Sequence, residues 1–163
     1  MAPSARAATT AGGPPASRAY AGLQLRIVAF ILDVMVLISF GMLFVAAAGA
    51  YLIADSSFND GNLSDRAPYV AVAIFLVYVF LFVPLYHVLL WSWRGQTVGM
   101  MAVHIKVLSG NGVRVTRRRA AVRFFGRVAS ILPLFLGLLM ALFDRQRRTL
   151  HDRLAGTVVV EQP

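Results

Sequence analysis

The stretch LQLRIVAFILDVMVLISF carries the first candidate chemistry, because Arg26 opens a long apolar run and Asp33 sits seven residues inside it. Seven helical residues turn through nearly two revolutions, so the two side chains share a face about 10 Å apart along the axis, too far for a direct pair. A carboxylate inside a membrane segment costs about 3 kcal/mol or more to insert, so it faces protein or trapped water and finds a partner. Two readings follow. A carboxyl group in low dielectric can exchange a proton, which would make Asp33 a proton or cation carrier. The simpler reading is a structural aspartate bonded to a neighbouring helix. His87 stands seven residues before Arg94 in a second apolar run, so in an antiparallel pair it reaches the depth of Asp33 and the two can meet. Alone near an interface, it is just a satisfied polar group. Arg26 either snorkels to lipid phosphate or pairs with Asp152 in the tail LHDRLAGT, pinning the C-terminal segment under the first helix. Arg26, Asp33, His87 and Asp152 are thus the candidate polar intramembrane site.

Other chemistries find no support in the residues. His104 and His151 have no second ligand at metal spacing, so neither a metal site nor a cofactor is expected. No nucleophile motif, phosphate loop or pair of catalytic carboxylates is present, and Asp33 with Asp144 lacks the surroundings of an intramembrane aspartyl protease. An enzyme is not expected. The absence of cysteine excludes disulfides and thiol chemistry.

The elements that must position these groups are apolar. With 58% hydrophobic residues, the 163-residue chain is too greasy for an ordinary soluble domain. It reads as a mainly α integral membrane protein. Its formal charge of +9 could suggest nucleic acid, but the apolar runs between the arginine clusters favour an anionic lipid surface as partner instead. Residues 1–19 are Ala, Pro, Gly, Ser and Thr with two arginines, a composition predicted to form a disordered cytoplasmic tail. The membrane domain is predicted over 20–163.

Residues 27–53 hold one charge and form the first predicted transmembrane helix. A cleaved signal peptide is the rival, given Ala46, Ala48 and Ala50, but such a region is shorter and has no use for a central aspartate. Residues 55–68 read as a solvated acidic loop, and 69–93 as a second transmembrane helix with a kink near Pro84. Tyr69, Trp91 and Trp93 stand where interface aromatics belong. The loop between the spans holds one of the sixteen basic residues, so the positive-inside rule places both termini in the cytoplasm.

After Arg94, the runs VHIKVL and VRV flank Ser109-Gly110-Asn111-Gly112 and predict a small cytoplasmic β-hairpin, which Thr157 to Val160 could extend. Arg117, Arg118, Arg119, Arg123 and Arg127 then punctuate a basic amphipathic helix expected to lie on headgroups. Residues 128–143, interrupted by Pro133, are predicted as a re-entrant or third membrane helical segment. Re-entry is preferred because crossing would strand a basic C-terminus outside.

Three stretches in order, RIVAFILD, GQTVGMMAVHIKV and RRTLHDRLAGTVVV, resemble the RDD family of bacterial membrane proteins, named for one arginine and two aspartates. The resemblance covers residues 20 to 160 and gives Arg26, Asp33 and Asp152 as the name-giving residues. One departure is Met100, where the family commonly has a lysine or arginine after GQTVG. The resemblance implies a multi-pass protein of the bacterial cytoplasmic membrane, for which transport is suggested and cation/proton antiport has been proposed for some members. Transport or exchange of a small cation or other small solute, titrated at Asp33, is one expectation. The other is a non-transporting structural or accessory membrane protein. Two and a half spans hardly enclose a pathway, so transport would call for a homo-oligomer.

Overall fold

In the computed structural model, residues 19–131, 144 and 147–162 are described. Helix α1, Leu23–Phe58, is 36 residues long, about 54 Å at 1.5 Å per residue against a hydrocarbon core of about 30 Å. Its buried residues are Arg26, Ala29 and Asp33, which recur at helical spacing and form one stripe. Two of the three charged residues of the helix, Arg26 and Asp33, therefore point into the protein, while Met35, Met42, Leu43 and Ile53 stand exposed. This inside-out pattern has no use for water around the helix.

The partner of α1 is one continuous apolar run, Ala67–Trp93, built from α2 (Ala67–Val77), a π turn (Tyr78–Phe82) and α3 (Val83–Trp93). The kink expected near Pro84 takes the form of the π turn. Proline has no N–H and crowds the preceding turn, and the widened turn, closed by Val83 N–H donating to the Tyr78 carbonyl, absorbs the mismatch. Tyr78 also donates its hydroxyl to the Leu37 carbonyl at 2.5 Å, and Phe40, Phe44, Tyr78 and Phe82 interleave between the helices. Both helices are long and apolar enough to cross a membrane. The expected loop over 55–68 is shorter in the structure, because α1 runs on to Phe58 and α2 begins at Ala67. Asp55, in the last turns of α1, accepts from the Ser64 backbone and hydroxyl across the turn.

The remaining elements gather where α1 begins and α3 ends. They are α4 (Val98–Ala102), β1 (Ile105–Ser109), α5 (Arg117–Ile131), α6 (Leu150–Ala155) and β2 (Thr157–Glu161). The predicted hairpin between VHIKVL and VRV does not form. The chain does reverse after Ser109, whose N–H bonds to the Val113 carbonyl at 2.8 Å, but β1 pairs antiparallel with β2, with Val107 opposite Val159. The physical reason is burial: β2 offers four consecutive buried β-branched residues, whereas Val113 is 61% exposed. Tyr20 bridges to Val160 on the other edge of β2, and the Ala19 carbonyl accepts from Glu161 N–H. Ala19 is thus fastened to the sheet. The rest of the predicted tail, 1–18, lies outside the described residues, as does the predicted re-entrant segment from 132 to 143.

The apolar core sits in this basal assembly. Ala21, Ala29, Trp91, Met100, Ile105, Val107, Val115, Ala120, Phe124 and Val159 form it. Trp91 belongs to the core with 0% exposure, a correction to its expected place at the interface, which Tyr69 and Trp93 do have exposed.

Candidate functional site

Two buried carboxylates anchor the site. Asp33 is enclosed by neutral donors. Thr97, the N-cap of α4, gives its hydroxyl to Oδ2 at 2.5 Å, while Oδ1 accepts from Gly99 N–H at 2.8 Å and the Tyr86 hydroxyl at 2.9 Å. The first turn of α4, whose backbone N–H groups lack helical partners, is thereby capped by a side chain from another helix. The approach requires glycine. A Cβ at Gly99 would collide with the Ala29 carbonyl and come within 3.0 Å of the Asp33 carboxyl carbon.

Asp152, fully buried, is enclosed by cations. Arg26 donates Nη1 to its Oδ2 at 2.5 Å, and Arg123 Nη1 lies 2.5 Å from Oδ1 in close but poorly aligned ion contact. Oδ2 also accepts from the Thr149 backbone N–H in a capping box that starts α6, and Gly156 at φ 60° ends that helix. Burial pushes the Asp152 carboxyl up, but the nearby Arg123, His151 and Arg26 outweigh it and hold the group well below the usual carboxylate range. Burial also lowers the Arg123 guanidinium to about 10, opposed by Asp152, so it remains charged at neutral pH. Arg123 further donates to Thr157 Oγ1 at 2.8 Å, which ties α5 to β2.

The structure therefore brings Arg26 and Asp152 together and adds Arg123, the member that the sequence did not reveal. Arg123 and Arg127 were expected on the headgroup face of α5. Instead Arg123 is 1% exposed, both guanidiniums stack on the Trp91 ring with Cζ at 5.0 and 4.8 Å from its centroid, and Val122, Phe125 and Val128 take the exposed face. Their four-residue spacing places both on one helix face and was the available signal.

His87 and Asp33 do not share a hydrogen bond. His87 Nδ1 donates to the Val83 carbonyl at 3.0 Å, and its ring packs among Tyr86, Trp91 and Phe124. Its neighbour Tyr86 makes the contact with Asp33, since adjacent helical residues point about 100° apart. His151 is buried beside Asp152, with Nε2 3.0 Å from Thr149 Oγ1. Burial is the main cause holding its imidazole well below the usual value, so it is neutral at pH 7. Among the described residues no group of three His, Cys, Asp or Glu side chains could hold a metal ion.

Between α1, α5 and α6 lies a cavity of about 80 Å³. Arg26, Asp33, Arg123, Arg127 and His151 line it, together with Ile27, Phe30 and Met100. Met100, the departure from the family pattern, thus lies on the cavity wall as an apolar group.

Comparison with known proteins adds a family and little else. The model of the RDD family matches residues 20–156. An uncharacterised protein from Rickettsia prowazekii (strain Madrid E) is 29% identical over 77 residues. That match spans 47% of this chain and 42% of the relative's own length. No solved structure matches.

Proposed function

The chain belongs to the RDD family, and on that premise we propose a multi-pass protein of the bacterial cytoplasmic membrane that moves or exchanges a small solute at its basal polar cavity. The exposed apolar faces of α1, α2 and α3 support the membrane placement, since large apolar side chains at this density would aggregate in water. Both termini are proposed to be cytoplasmic, because the loop between the apolar helices contains a single arginine, Arg66. Anionic headgroups are the proposed surroundings of the exposed arginines on α5, and a homo-oligomer is proposed because two spans do not enclose a path. The role is proposed to be non-enzymatic and free of cofactors.

The observation that carries the transport reading is the cavity, where buried charged groups meet the beginning of a membrane-type helix. Asp33 would couple proton movement to that of a small cation or other small solute. The test is solute-driven proton flux in proteoliposomes, with Asp33→Asn as control. Loss of flux in the variant supports the reading, and flux unchanged by it removes Asp33 from the mechanism.

A second reading has its own observation. The three donors around Asp33 and the shared pairing of Asp152 join α1, α4, α5 and α6 into one body, which suits a structural or accessory membrane protein. On this reading Asp33→Asn lowers thermal stability in detergent and leaves any flux intact.

A further inference from the structure

We propose that the basal cavity binds a phosphoryl oxyanion, either free phosphate or the headgroup phosphate of a phospholipid. The inference deepens the reading of the chain as a membrane protein whose solute site is this cavity. It stands on unmet donors and on charge.

Four donor-bearing residues on the cavity wall have buried nitrogen atoms with no hydrogen-bond partner among the described residues: Arg26 Nη2, Arg123 Nε, Arg127 Nη1 and His151 Nδ1. A buried donor left unsatisfied costs about 1–3 kcal/mol, and more when charged, so three guanidinium donors around one space are an outlier that calls for an acceptor. The imidazole adds a donor only in the tautomer whose Nε2 accepts from the Thr149 hydroxyl, because that oxygen keeps a second lone pair that can equally accept from Nε2–H. The guanidinium nitrogens therefore carry the case.

Charge points the same way. Three guanidiniums line or border the space, against the carboxylates of Asp33 and Asp152. Asp152 is shared by Arg26 and Arg123, and Asp33 is occupied by Thr97, Gly99 and Tyr86. Arg127 makes no ion pair among the described residues and rests on Trp91. Asp33 and Asp152 attract it without contact, but three guanidiniums face two carboxylates here, and the uncompensated positive charge is expensive in a low-dielectric setting. Water would satisfy the donors but not the charge.

The guanidinium donors come from two elements, α1 and α5, with His151 of α6 on the same wall, and so approach from several directions. A tetrahedral anion with several acceptor oxygens fits such a convergence, and planar guanidinium forks match phosphate oxygens in pairs. The volume suits it too: about 80 Å³ is several times what one water requires. Ile27 and Phe30 form the wall toward the exposed face of α1 at 40% and 41% exposure, an apolar flank along which the glycerol end of a phospholipid would enter.

The test uses the full chain purified in dodecyl maltoside. Thermal unfolding is measured against inorganic phosphate, with potassium chloride at equal ionic strength as control. In parallel, native mass spectrometry of protein reconstituted with phosphatidylglycerol counts retained lipid. A saturable rise in Tm with phosphate identifies the free anion, and one retained lipid per protomer that resists delipidation identifies the headgroup. Arg127→Gln is expected to weaken either by tenfold or more, and Arg127→Lys, which keeps the charge but loses the fork, by several-fold. If Arg127→Gln does not fold, Arg127→Lys and His151→Asn decide. Wild type binding neither probe, or all folded variants binding like wild type, overturns the proposal. Binding is read without flux, so a protein that binds phosphate yet shows no Asp33-dependent flux retains the anion site and loses the transport reading.

Discussion

Asp33 and Asp152 are both buried acids at the base of one helix bundle, yet one is held by neutral dipoles and the other by full charges. Thr97, Gly99 and Tyr86 give Asp33 three hydrogen bonds without a cation, the first two seating α4 on α1 and the third tying α3 to it. Asp152 receives two arginines from elements far apart in sequence and joins the start of α1 to the end of the chain. The difference lies in what is lost on substitution. Removing the charge of Asp33 leaves behind neutral donors, whereas removing that of Asp152 leaves two buried cations facing each other.

The largest effect should therefore come from Asp152→Asn, which strands Arg26 and Arg123 and is expected to cost about 3–5 kcal/mol. Thermal unfolding in detergent measures it, and a loss no greater than that of Asp33→Asn would erase the contrast. Simple exchange of Arg26 and Asp152 should not restore stability, because the transplanted arginine would face Arg123. Gly99→Ala comes next, at about 1–3 kcal/mol, because its Cβ can be housed only by moving α4 off the Ala29 carbonyl. Asp33→Asn keeps an acceptor oxygen and is expected to cost about 1–3 kcal/mol by losing the hydrogen bonds strengthened by charge.

Acidity separates the clusters further. His151 has a lowered folded-state pKa, so below about 6.5 the unfolded chain binds the extra proton and stability falls as pH falls. Asp152 is also lowered, so its contribution is complete above about 3.9 and disappears as pH drops through its folded value. A Tm profile from pH 8 to 5 should slope downward toward acid, and His151→Asn should flatten that limb. The smallest effect is expected from Arg153→Ala. Its ion contact with Asp144 at 3.1 Å is partly exposed, and Arg148 holds the same carboxylate, so the change should stay within about 1 kcal/mol.

Much of this was legible in the residues. The two apolar helices and the acidic turn between them follow from charge and hydropathy read along the chain, whereas the pairing of Arg26 with Asp152 was one of two readings that the residues left open. Partners of the buried groups were harder to see. VRV and TVVVE have the same β-branched character, and only burial decides which one β1 selects. Arg123 and Arg127 look like surface charges because the amphipathic pattern of α5 does not say that its arginine face turns toward Trp91. Tyr86 displaced His87 through a rotation of one residue, which sequence spacing resolves poorly.

By itself the sequence determined where polarity is forbidden, since a run of 25 apolar residues is a local property that sets its own solvent. Tertiary structure decided which charges meet. Asp152 lies 126 positions from Arg26, and its shared pairing with Arg123 depends on the rotation of α5 against α1 and α6, which arises from packing among all three.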